Sequence, residues 1–541
     1  MKPFLNIFDA TCCTGRHLKL REGDPHTAAD LLADLDHCGV AEALVLDTLS
    51  RENHPADGNA RILETVKPHP RLHAAWAALP PGAPDEQPAG EEWLAMLRRN
   101  RVGAVHLLPA RYRYNLSAWC IDALLEPLAA ARVPVFICND DVAPVGHDGT
   151  AEFLADQTDW EAVVALCRRW PTLPVIVTET RIRRSQRLVY RALEACENLH
   201  VELSGYFLHR GIEFITQHWG ARRLVYGSNW PHYPMGQTLA TLARAEIADT
   251  DRQLIAGDNL RHLLSWSPPV VNPEVKPMPP ADRYVAIGRG APVPPDLRFW
   301  DCHGHLGGKC NHYHVVDGGL DATVKEMDRQ GVEKICVFTI AGVFSDETHG
   351  NDIIADAVQR YPDRFVGFTL VNPHRGRDAM LRELERGARR GLRGIKLIPH
   401  YQGYPADGPL LDVACQWAHD RRQIILNHSW GPGNGPIDRL TAQYPNACFI
   451  NGHTFEDYAE VVKKRDNLFI CSCPLWDGPR HCERLVATIG ADKLLFGSDL
   501  QDLPIAWGLG PILFARLSEA DKALILGGNL KRILATYSLT P

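Results

Sequence analysis

Six side chains in the second half of the sequence have types and spacings suited to binding a metal ion. They stand at the ends of predicted strands one, four, five, six and eight of this half, in the order His303, His305, Lys396, His428, His453 and Asp499. His303 and His305 lie two residues apart in the stretch DCHGH. Because a strand alternates its side chains, both point to the same side. Imidazole and carboxylate groups are ligands that a borderline divalent cation such as zinc prefers.

The competing interpretation of any one of these histidines is an ordinary hydrogen-bonded core residue. For a histidine standing alone, that interpretation would be preferred. Polar residues in the same phase at the ends of several independent strands are harder to explain in this way. The whole set therefore predicts a divalent metal site.

The apolar runs that carry these residues alternate with amphipathic helical segments, a pattern typical of βαβ units. The second half contains eight runs, from LRFWDCHGH to KLLFGSD, and the first half contains a matching eight, from LNIFDAT to RLVYGSN. Apolar parallel strands must be covered on both faces. An open doubly wound sheet is the alternative, but it gives no reason to stop at eight strands twice. We predict an α/β fold of two tandem (β/α)8 TIM-type barrels.

A proline-rich stretch separates the two predicted barrels. It contains PPVVNPEVKPMPP and has neither a helical nor a strand period. We expect an extended linker over residues 268–295, a first barrel over 1–267 and a second barrel over 296–541. Chemistry in such barrels takes place at the carboxyl ends of the strands, where the candidate ligands stand.

The order His-x-His, Lys, His, His, Asp along eight strands resembles the amidohydrolase superfamily of metal-dependent hydrolases. The stretches GIKLIP, NGH, LLFGSD and LGGNLKRIL are most similar to its amidohydrolase family 2 branch, which includes aminocarboxymuconate-semialdehyde decarboxylase. The resemblance implies that His303, His305, His428 and Asp499 hold the metal. It also implies that Asp499 moves a proton and that His453 polarises the substrate or stabilises an oxyanion.

Lys396 has two interpretations under this resemblance. In binuclear members a lysine at the end of strand four is carboxylated and bridges two ions. The alternative is a cationic lysine that binds a substrate carboxylate or pairs with an acid. We therefore expect one or two divalent ions, zinc first, with manganese and iron(II) as alternatives.

Substrate-binding candidates lie on loops that follow the strands: Arg480, His400 and Trp430. Surface positions without a role are the competing interpretation of each. Arg480 is favoured because a guanidinium binds a carboxylate through two parallel hydrogen bonds.

The first half replaces the candidate ligands. The sequence alignment of the halves pairs His303 with Thr11, His305 with Cys13, Lys396 with His106, His428 with Asn139, His453 with Glu179 and Asp499 with Asn229. We expect a degenerate barrel without metal that serves as a built-in partner in an intramolecular pseudo-dimer. The sequence leaves open a further homo-oligomer.

Bulk composition limits the other partners. The net charge is −7, so no basic surface for nucleic acid is expected, and no apolar run is long enough to span a membrane. The chain has 15 cysteines without regular spacing, which favours free thiols in a reducing cytoplasm.

The sequence supports three functions in decreasing order. The first is a metal-dependent hydrolase of a small, carboxylated amide, ester or lactone. The second is a decarboxylase or related lyase that uses the same ligands. The third is a noncatalytic scaffold, which has no physical need for a set of buried polar ligands.

Overall fold

The structure is a computed structural model of the chain. It describes residues 5–17, 20–83, 85–88, 90–138, 159–178, 182–266, 279–430, 433–453, 456–475 and 477–537.

Two sets of eight short strands form the centre of the fold. The strands of the first set are β1 Phe8–Thr14, β2 Glu42–Asp47, β3 Leu72–Ala78, β4 Ala104–Leu107, β5 Val135–Ile137, β6 Val175–Val177, β7 Leu199–Glu202 and β8 Leu224–Val225. Those of the second set are β9 Phe299–Leu306, β10 Val332–Thr339, β11 Phe365–Leu370, β12 Gly394–Leu397, β13 Ile424–Asn427, β14 Cys448–Asn451, β15 Leu468–Cys471 and β16 Leu494–Leu495.

Each set forms one parallel sheet in which the strands follow one another in chain order. Backbone hydrogen bonds join the first strand of each sheet to the residues that follow its last strand. Cys13 N donates to Trp230 O (2.7 Å) in the first, and His305 N donates to Leu500 O (2.9 Å) in the second. The prediction of two tandem (β/α)8 barrels is therefore confirmed.

Helices follow the strands and cover the outside of each sheet, as the right-handed crossover of parallel strands requires. In the first half they are α1 Ala28–Cys38, α2 Thr48–Glu52, α3 Pro55–Val66, α4 Gly90–Arg99, α5 Pro109–Tyr112, α6 Ala118–Ala131, α7 Trp160–Arg169, α8 Ile182–Ala195, α9 Gly211–Trp219, α10 Met235–Ala243, α11 Asp249–Gln253 and α12 Asn259–Leu263. After α13 Arg283–Gly288, the second half contains α14 Leu320–Gln330, α15 Ile340–Phe344, α16 Glu347–Arg360, α17 Arg377–Arg389, α18 Pro399–Gln402, α19 Pro409–Arg421, α20 Gly435–Gln443, α21 Ala459–Lys464, α22 His481–Ile489, α23 Ile505–Leu513, α24 Glu519–Ala523 and α25 Asn529–Thr536.

The two barrels repeat the same local devices at equivalent positions. Asp9 Oδ1 accepts hydrogen bonds from Thr11 N (3.1 Å) and Ser228 N (2.9 Å). Asp301 Oδ1 accepts the same pair from His303 N (2.9 Å) and Ser498 N (3.1 Å). These carboxylates fix the ends of the first and last strands in both barrels, which agrees with a tandem duplication.

The chain divides into two compact units that differ slightly from the two halves of the sequence. Unit 1 runs through Gly290 and includes His312–His314 and residues 477–479, whereas unit 2 begins at Ala291 and holds the remainder. Within unit 1, Gln186 is fully buried. Its amide accepts a hydrogen bond from His314 N (2.6 Å) and donates one to His314 O (3.0 Å).

The expected extended linker differs from the structure at α13. Tyr284, Val285 and Ile287 of this helix are buried, and Arg244 Nη1 donates to Ile287 O (3.3 Å). Apolar residues at helical spacing outweigh the proline-rich composition around them. Residues 267–278, which contain most of the prolines, lie outside the described part of the chain.

Within the described residues, no helix has both the length and the apolar composition needed to cross a membrane.

Candidate metal centre

The carboxyl end of β9 and the residues after β16 bring three candidate ligands together. Asp499 N donates to His303 O (2.8 Å), which fixes the two backbones side by side. Asp499 has a left-handed φ of 60°, so its side chain turns into the mouth of the barrel. Atoms of His303, His305 and Asp499 that could bind a metal all lie within 4.8 Å of one another. No other such group is found among the described residues.

The distances within this group are those of a closely packed ligand set. His305 Nε2 lies 2.8 Å from Asp499 Oδ1, and His303 Nε2 lies 3.5 Å from the same oxygen. All three side chains are almost completely buried. The site is therefore shielded from solvent, and electrostatic interactions within it are stronger than they would be in water.

His428 and His453 lie next to this group. His453 Nε2 is 2.9 Å from His428 Nδ1, and the ring centroids of His303 and His453 are 5.2 Å apart. All four predicted histidines thus lie in one cluster. His428 and His453 contact each other directly and are not members of the three-ligand group.

Backbone carbonyls orient two of the rings. His303 Nδ1 donates to Gly452 O (2.9 Å), and His453 Nδ1 donates to Cys473 O (3.0 Å). Since a carbonyl can only accept, these contacts place the proton on Nδ1 and leave Nε2 as an acceptor. His428 Nδ1 then donates to His453 Nε2. Such hydrogen bonds commonly orient the histidines of metal sites.

Electrostatics give His303, His453 and Asp499 the protonation states that a metal requires. Burial, reinforced by the charge of Lys396, holds the pKa of His303 well below its ordinary value. Burial likewise lowers the pKa of His453 to about 4. For Asp499, burial favours the neutral acid, but the hydrogen bond and charge of His305 outweigh it and hold the pKa well below normal. Neutral imidazoles and a carboxylate are the metal-binding forms.

Lys396 adds an unusual buried cation. Its side chain is completely buried, and Nζ has no hydrogen-bond partner among the described residues. Nζ lies 4.2 Å from the ring centroid of Phe338, which also contacts His305. Burial lowers the pKa of Lys396 to about 8.

These residues fit a divalent cation. His303 Nε2 and Asp499 Oδ1 are both acceptors and face each other at 3.5 Å, with no proton between them. Two lone pairs at this distance repel each other unless a cation lies near both. His305 Nδ1 is buried without a hydrogen-bond partner in the described residues.

The three substrate-binding candidates have different environments. Arg480 is half-buried and directly precedes α22. Trp430 is fully buried, and its ring packs against Phe449 with ring centroids 5.4 Å apart. The side chain of His400 lies outside the described part of the structure.

Sequence reasoning did not identify Phe338, Phe344 or the Cys473 thiol as parts of this region. Burial, reinforced by the charge of Asp499, raises the pKa of the Cys473 thiol well above its ordinary value. Phe344 packs edge-on against Tyr401, which in turn contacts His428 (centroids 5.3 and 5.1 Å apart). Tyr401 is 47% exposed, so this aromatic pair lies at the surface beside the centre. The sequence signal that could have identified Phe338 and Phe344 is a pair of aromatic residues at and just after the end of β10.

The first barrel has a different set of residues at the equivalent positions. Cys138 N donates to Leu107 O (3.0 Å) just as His428 N donates to Leu397 O (3.0 Å). Cys138, one residue before Asn139, therefore occupies the His428 position, and the pairing with Asn139 is corrected. Asn139 and Glu179 themselves lie outside the described residues.

A hydrogen-bonded network connects other equivalent positions of the first barrel. Thr11 Oγ1 donates to Glu202 Oε1 (3.3 Å) and accepts from Asn229 N (3.1 Å). The hydroxyl at the His303 position thus bonds a neighbouring carboxylate.

Comparisons with known proteins agree with this architecture. A family model described as amidohydrolase matches the chain twice, over residues 21–265 and 300–535. The search of curated proteins found no match.

Several solved structures are similar to one barrel of this chain. An uncharacterised TIM-barrel protein from Bordetella bronchiseptica is 17% identical, with a TM-score of 0.38, and the match covers 44% of this chain and 99% of that one. The 5-carboxyvanillate decarboxylase from Sphingomonas paucimobilis is 16% identical, with a TM-score of 0.33 and coverage of 44% and 99%. A dihydroxybenzoic acid decarboxylase from a Polaromonas species, solved with manganese and 2-nitroresorcinol, is 16% identical, with a TM-score of 0.36 and coverage of 44% and 98%.

Proposed function

The chain belongs to the amidohydrolase family of metal-dependent enzymes, and on that basis we propose that its second barrel hydrolyses a small, carboxylated amide, ester or lactone. The observation that carries the proposal is the convergence of His303, His305 and Asp499 with their metal-binding atoms within 4.8 Å. His428 and His453 stand beside this group with oriented rings.

We propose His303, His305, His428 and Asp499 as the residues that hold the cation, with zinc as the first candidate. When bound, the cation supplies Lewis acidity, which polarises an oxygen atom and lowers the pKa of water. In a binuclear centre, a carboxylated Lys396 would bridge the two ions.

The side chains of the site divide the proton transfers of hydrolysis between them. Asp499 is held as a carboxylate by His305, so it can accept a proton from the attacking water and pass it to the leaving group. His453 Nε2 lies beside His428 Nδ1, and uptake of a proton at Nε2 would give His453 a second N–H that can donate a hydrogen bond to the developing oxyanion. Its hydrogen bond to Cys473 O keeps the ring oriented throughout.

Two cationic side chains support a carboxylated substrate. Lys396 Nζ is a buried donor without a hydrogen-bond partner in the described residues. Burying a cation without a partner is costly, and an anion that pairs with it offsets this cost. Arg480, in front of α22, is the second candidate for binding the carboxylate.

Decarboxylation is the second candidate reaction, and the surroundings of Lys396 favour it. Nζ faces the ring of Phe338 in a fully buried position, so a carboxylate bound there would lose its hydration. In this reaction the bond between the carboxyl carbon and the neighbouring substrate carbon breaks. Carbon dioxide leaves, and the electron pair stays on that neighbouring carbon. The Lys396 ammonium would then supply the proton.

Product analysis separates the two reactions. A panel of small carboxylated amides, esters, lactones and unsaturated acids is incubated with the full chain in ¹⁸O-water. Label in a new carboxyl group indicates hydrolysis, whereas release of carbon dioxide with no label in the remaining organic product indicates decarboxylation. The His303→Ala/His305→Ala variant is the control, and product formation that persists in it would contradict both proposals.

We also propose that the first barrel acts as a built-in partner of the second, in the manner of a pseudo-dimer within one chain. Support comes from unit 1, which includes residues 312–314 and 477–479 of the later sequence. These segments lie in the loops that follow β9 and β15. Loops at this end of a barrel strand commonly shape the substrate site.

A further inference from the structure

The mouth of the first barrel has an apolar floor where the second barrel has ligands. Residues at the ends of β1 to β5 pack together there, and Tyr112 covers them: Cys13, Leu46, Ala77, Leu108 and Cys138. Cys13 and Cys138 occupy the positions of His305 and His428. Part of the barrel end that serves as the active site of this fold is therefore apolar, while Thr11, Glu202 and Asn229 form a polar network at other positions of the same end.

Basic side chains stand around this floor on two short helices. Tyr112 Oη on α5 donates to Ser50 O on α2 (2.5 Å), which fixes the two helices side by side. Arg51 of α2 is only 3% exposed, and Arg111 of α5 is half-buried. His106, at the end of β4, is buried and stacks on Phe136 with ring centroids 4.8 Å apart.

His232 is the most informative residue of this region. It follows β8 and is 3% exposed, yet neither ring nitrogen has a hydrogen-bond partner in the described residues. Its ring lies 5.0 Å from that of His17. Leaving a buried polar group unpaired is costly, so such a group indicates a partner outside the protein's own side chains.

α2, α5 and His232 follow β2, β4 and β8 of one parallel barrel, so Arg51, Arg111 and His232 all stand at the carboxyl end of its strands. Burial, together with the charge of Arg51, lowers the pKa of His106 to about 3. Burial and the charges of Arg51, His17 and Arg111 hold the pKa of His232 well below normal. At neutral pH His232 is therefore an uncharged ring that can donate one N–H beside two guanidinium groups.

We propose that the mouth of the first barrel binds a small organic anion, with its carboxylate against Arg51, Arg111 and His232 and its apolar body on the Cys13–Leu108 floor. A carboxylate can accept several charge-assisted hydrogen bonds in such a position. The apolar floor favours an acid with a hydrocarbon body over inorganic phosphate. This site needs no metal and does not depend on the function proposed for the second barrel.

Isothermal titration calorimetry on the full chain tests this site. Hexanoate is the probe, inorganic phosphate tests a bare oxyanion, and hexan-1-ol tests the apolar body alone. The titrations use the His303→Ala/His305→Ala background, so that the second barrel's metal site does not contribute. We expect saturable binding of hexanoate and no saturable binding of hexan-1-ol or phosphate.

Two substitutions locate the site. Arg51→Met and Arg111→Met are each expected to weaken hexanoate binding about 10-fold or more, because each removes a charge-assisted hydrogen bond. Arg168→Met, on the exposed face of α7, is the charge-matched control and should leave binding unchanged. Circular dichroism checks that each variant is folded, and the less buried Arg111 provides the test if Arg51→Met does not fold.

Three results would overturn the proposal. The first is no saturable binding of hexanoate in the metal-site background. The second is binding that neither Arg51→Met nor Arg111→Met weakens. The third is phosphate binding without hexanoate binding, which would show that the apolar floor plays no part.

Discussion

Asp499 and Asn229 occupy equivalent positions after β16 and β8, with φ values of 60° and 53°. The two side chains are nearly isosteric, but only Asp499 carries a charge. The first barrel thus shows that this backbone accommodates asparagine at a left-handed position. The comparison separates the shape of this position from its chemistry.

We therefore expect Asp499→Asn to fold normally and to lose activity. Turnover should fall by about 10²–10⁴-fold, because the variant lacks both a metal ligand and the proton acceptor. Steady-state kinetics and circular dichroism measure the two effects. Asn229→Asp in the first barrel is the matched control, and wild-type turnover in Asp499→Asn would contradict the assigned role.

Lys396 is expected to lower the stability of the metal-free protein while being needed for turnover. Because Nζ is fully buried without a hydrogen bond in the described residues, Lys396→Met should raise the free energy of unfolding of the metal-free protein by about 1–3 kcal/mol. The same variant should lose most of its turnover. Urea unfolding and kinetics test the pair of effects, with Lys463→Met on exposed α21 as the control. Destabilisation by Lys396→Met would show that the ammonium is satisfied in the folded state.

Sequence reasoning at this scale was strongest for residues placed by strand phase. His303 and His305 share a face because strand geometry requires it, and the structure places them together. It failed where placement depends on one residue of register, as with Cys138 in place of Asn139. It also could not find Gly452 O and Cys473 O, because these partners are set by backbone contacts between distant segments.

The last helices, α12 and α25, are attached to their barrels by equivalent asparagines. Asn259 Nδ2 donates to Ala221 O (2.9 Å) and Leu224 O (2.8 Å). Asn529 Nδ2 donates to Ala491 O (2.7 Å) and Leu494 O (2.9 Å). Both amides are buried, so each satisfies two carbonyls at the start of the last strand.

Loss of either asparagine should destabilise its own barrel by a similar amount. We expect Asn259→Leu and Asn529→Leu each to lower the free energy of unfolding by about 2–4 kcal/mol, because two buried carbonyls lose their donor. Thermal and urea unfolding provide the measurement. Asn446→Leu, which removes the exposed contact between Asn446 Nδ2 and His419 Nε2, is the control. A change of a few tenths of a kcal/mol at both sites would contradict the proposed attachment.

The elements themselves were largely predictable from the sequence. Short apolar runs alternating with amphipathic helices predicted the sixteen strands in their order along the two sheets. Helix α13 was not predicted, because the prolines around it conceal the apolar spacing of Tyr284, Val285 and Ile287. Local composition is a weak guide where burial of a few side chains decides the structure.

At the scale of the whole molecule, the grouping of residues 312–314 with unit 1 gives the first barrel a testable role. Gln186 holds the backbone of His314 through two hydrogen bonds. His314 lies in the β9–α14 loop, which begins just after the predicted ligand His305. We expect Gln186→Leu to loosen this loop and so to raise KM several-fold, with little change in kcat. Gln416→Leu on the exposed face of α19 is the control. Unchanged KM in Gln186→Leu would remove this support for a built-in partner.

The most direct test of the account is the metal content of the purified full chain, measured by inductively coupled plasma mass spectrometry. The account predicts about one equivalent of a divalent ion, or about two if Lys396 is carboxylated, and its loss in His303→Ala/His305→Ala. Thr11→Ala/Cys13→Ala, at the equivalent positions of the first barrel, should retain the full content. A wild-type protein that binds no divalent metal, even after incubation with zinc or manganese, would contradict the central claim.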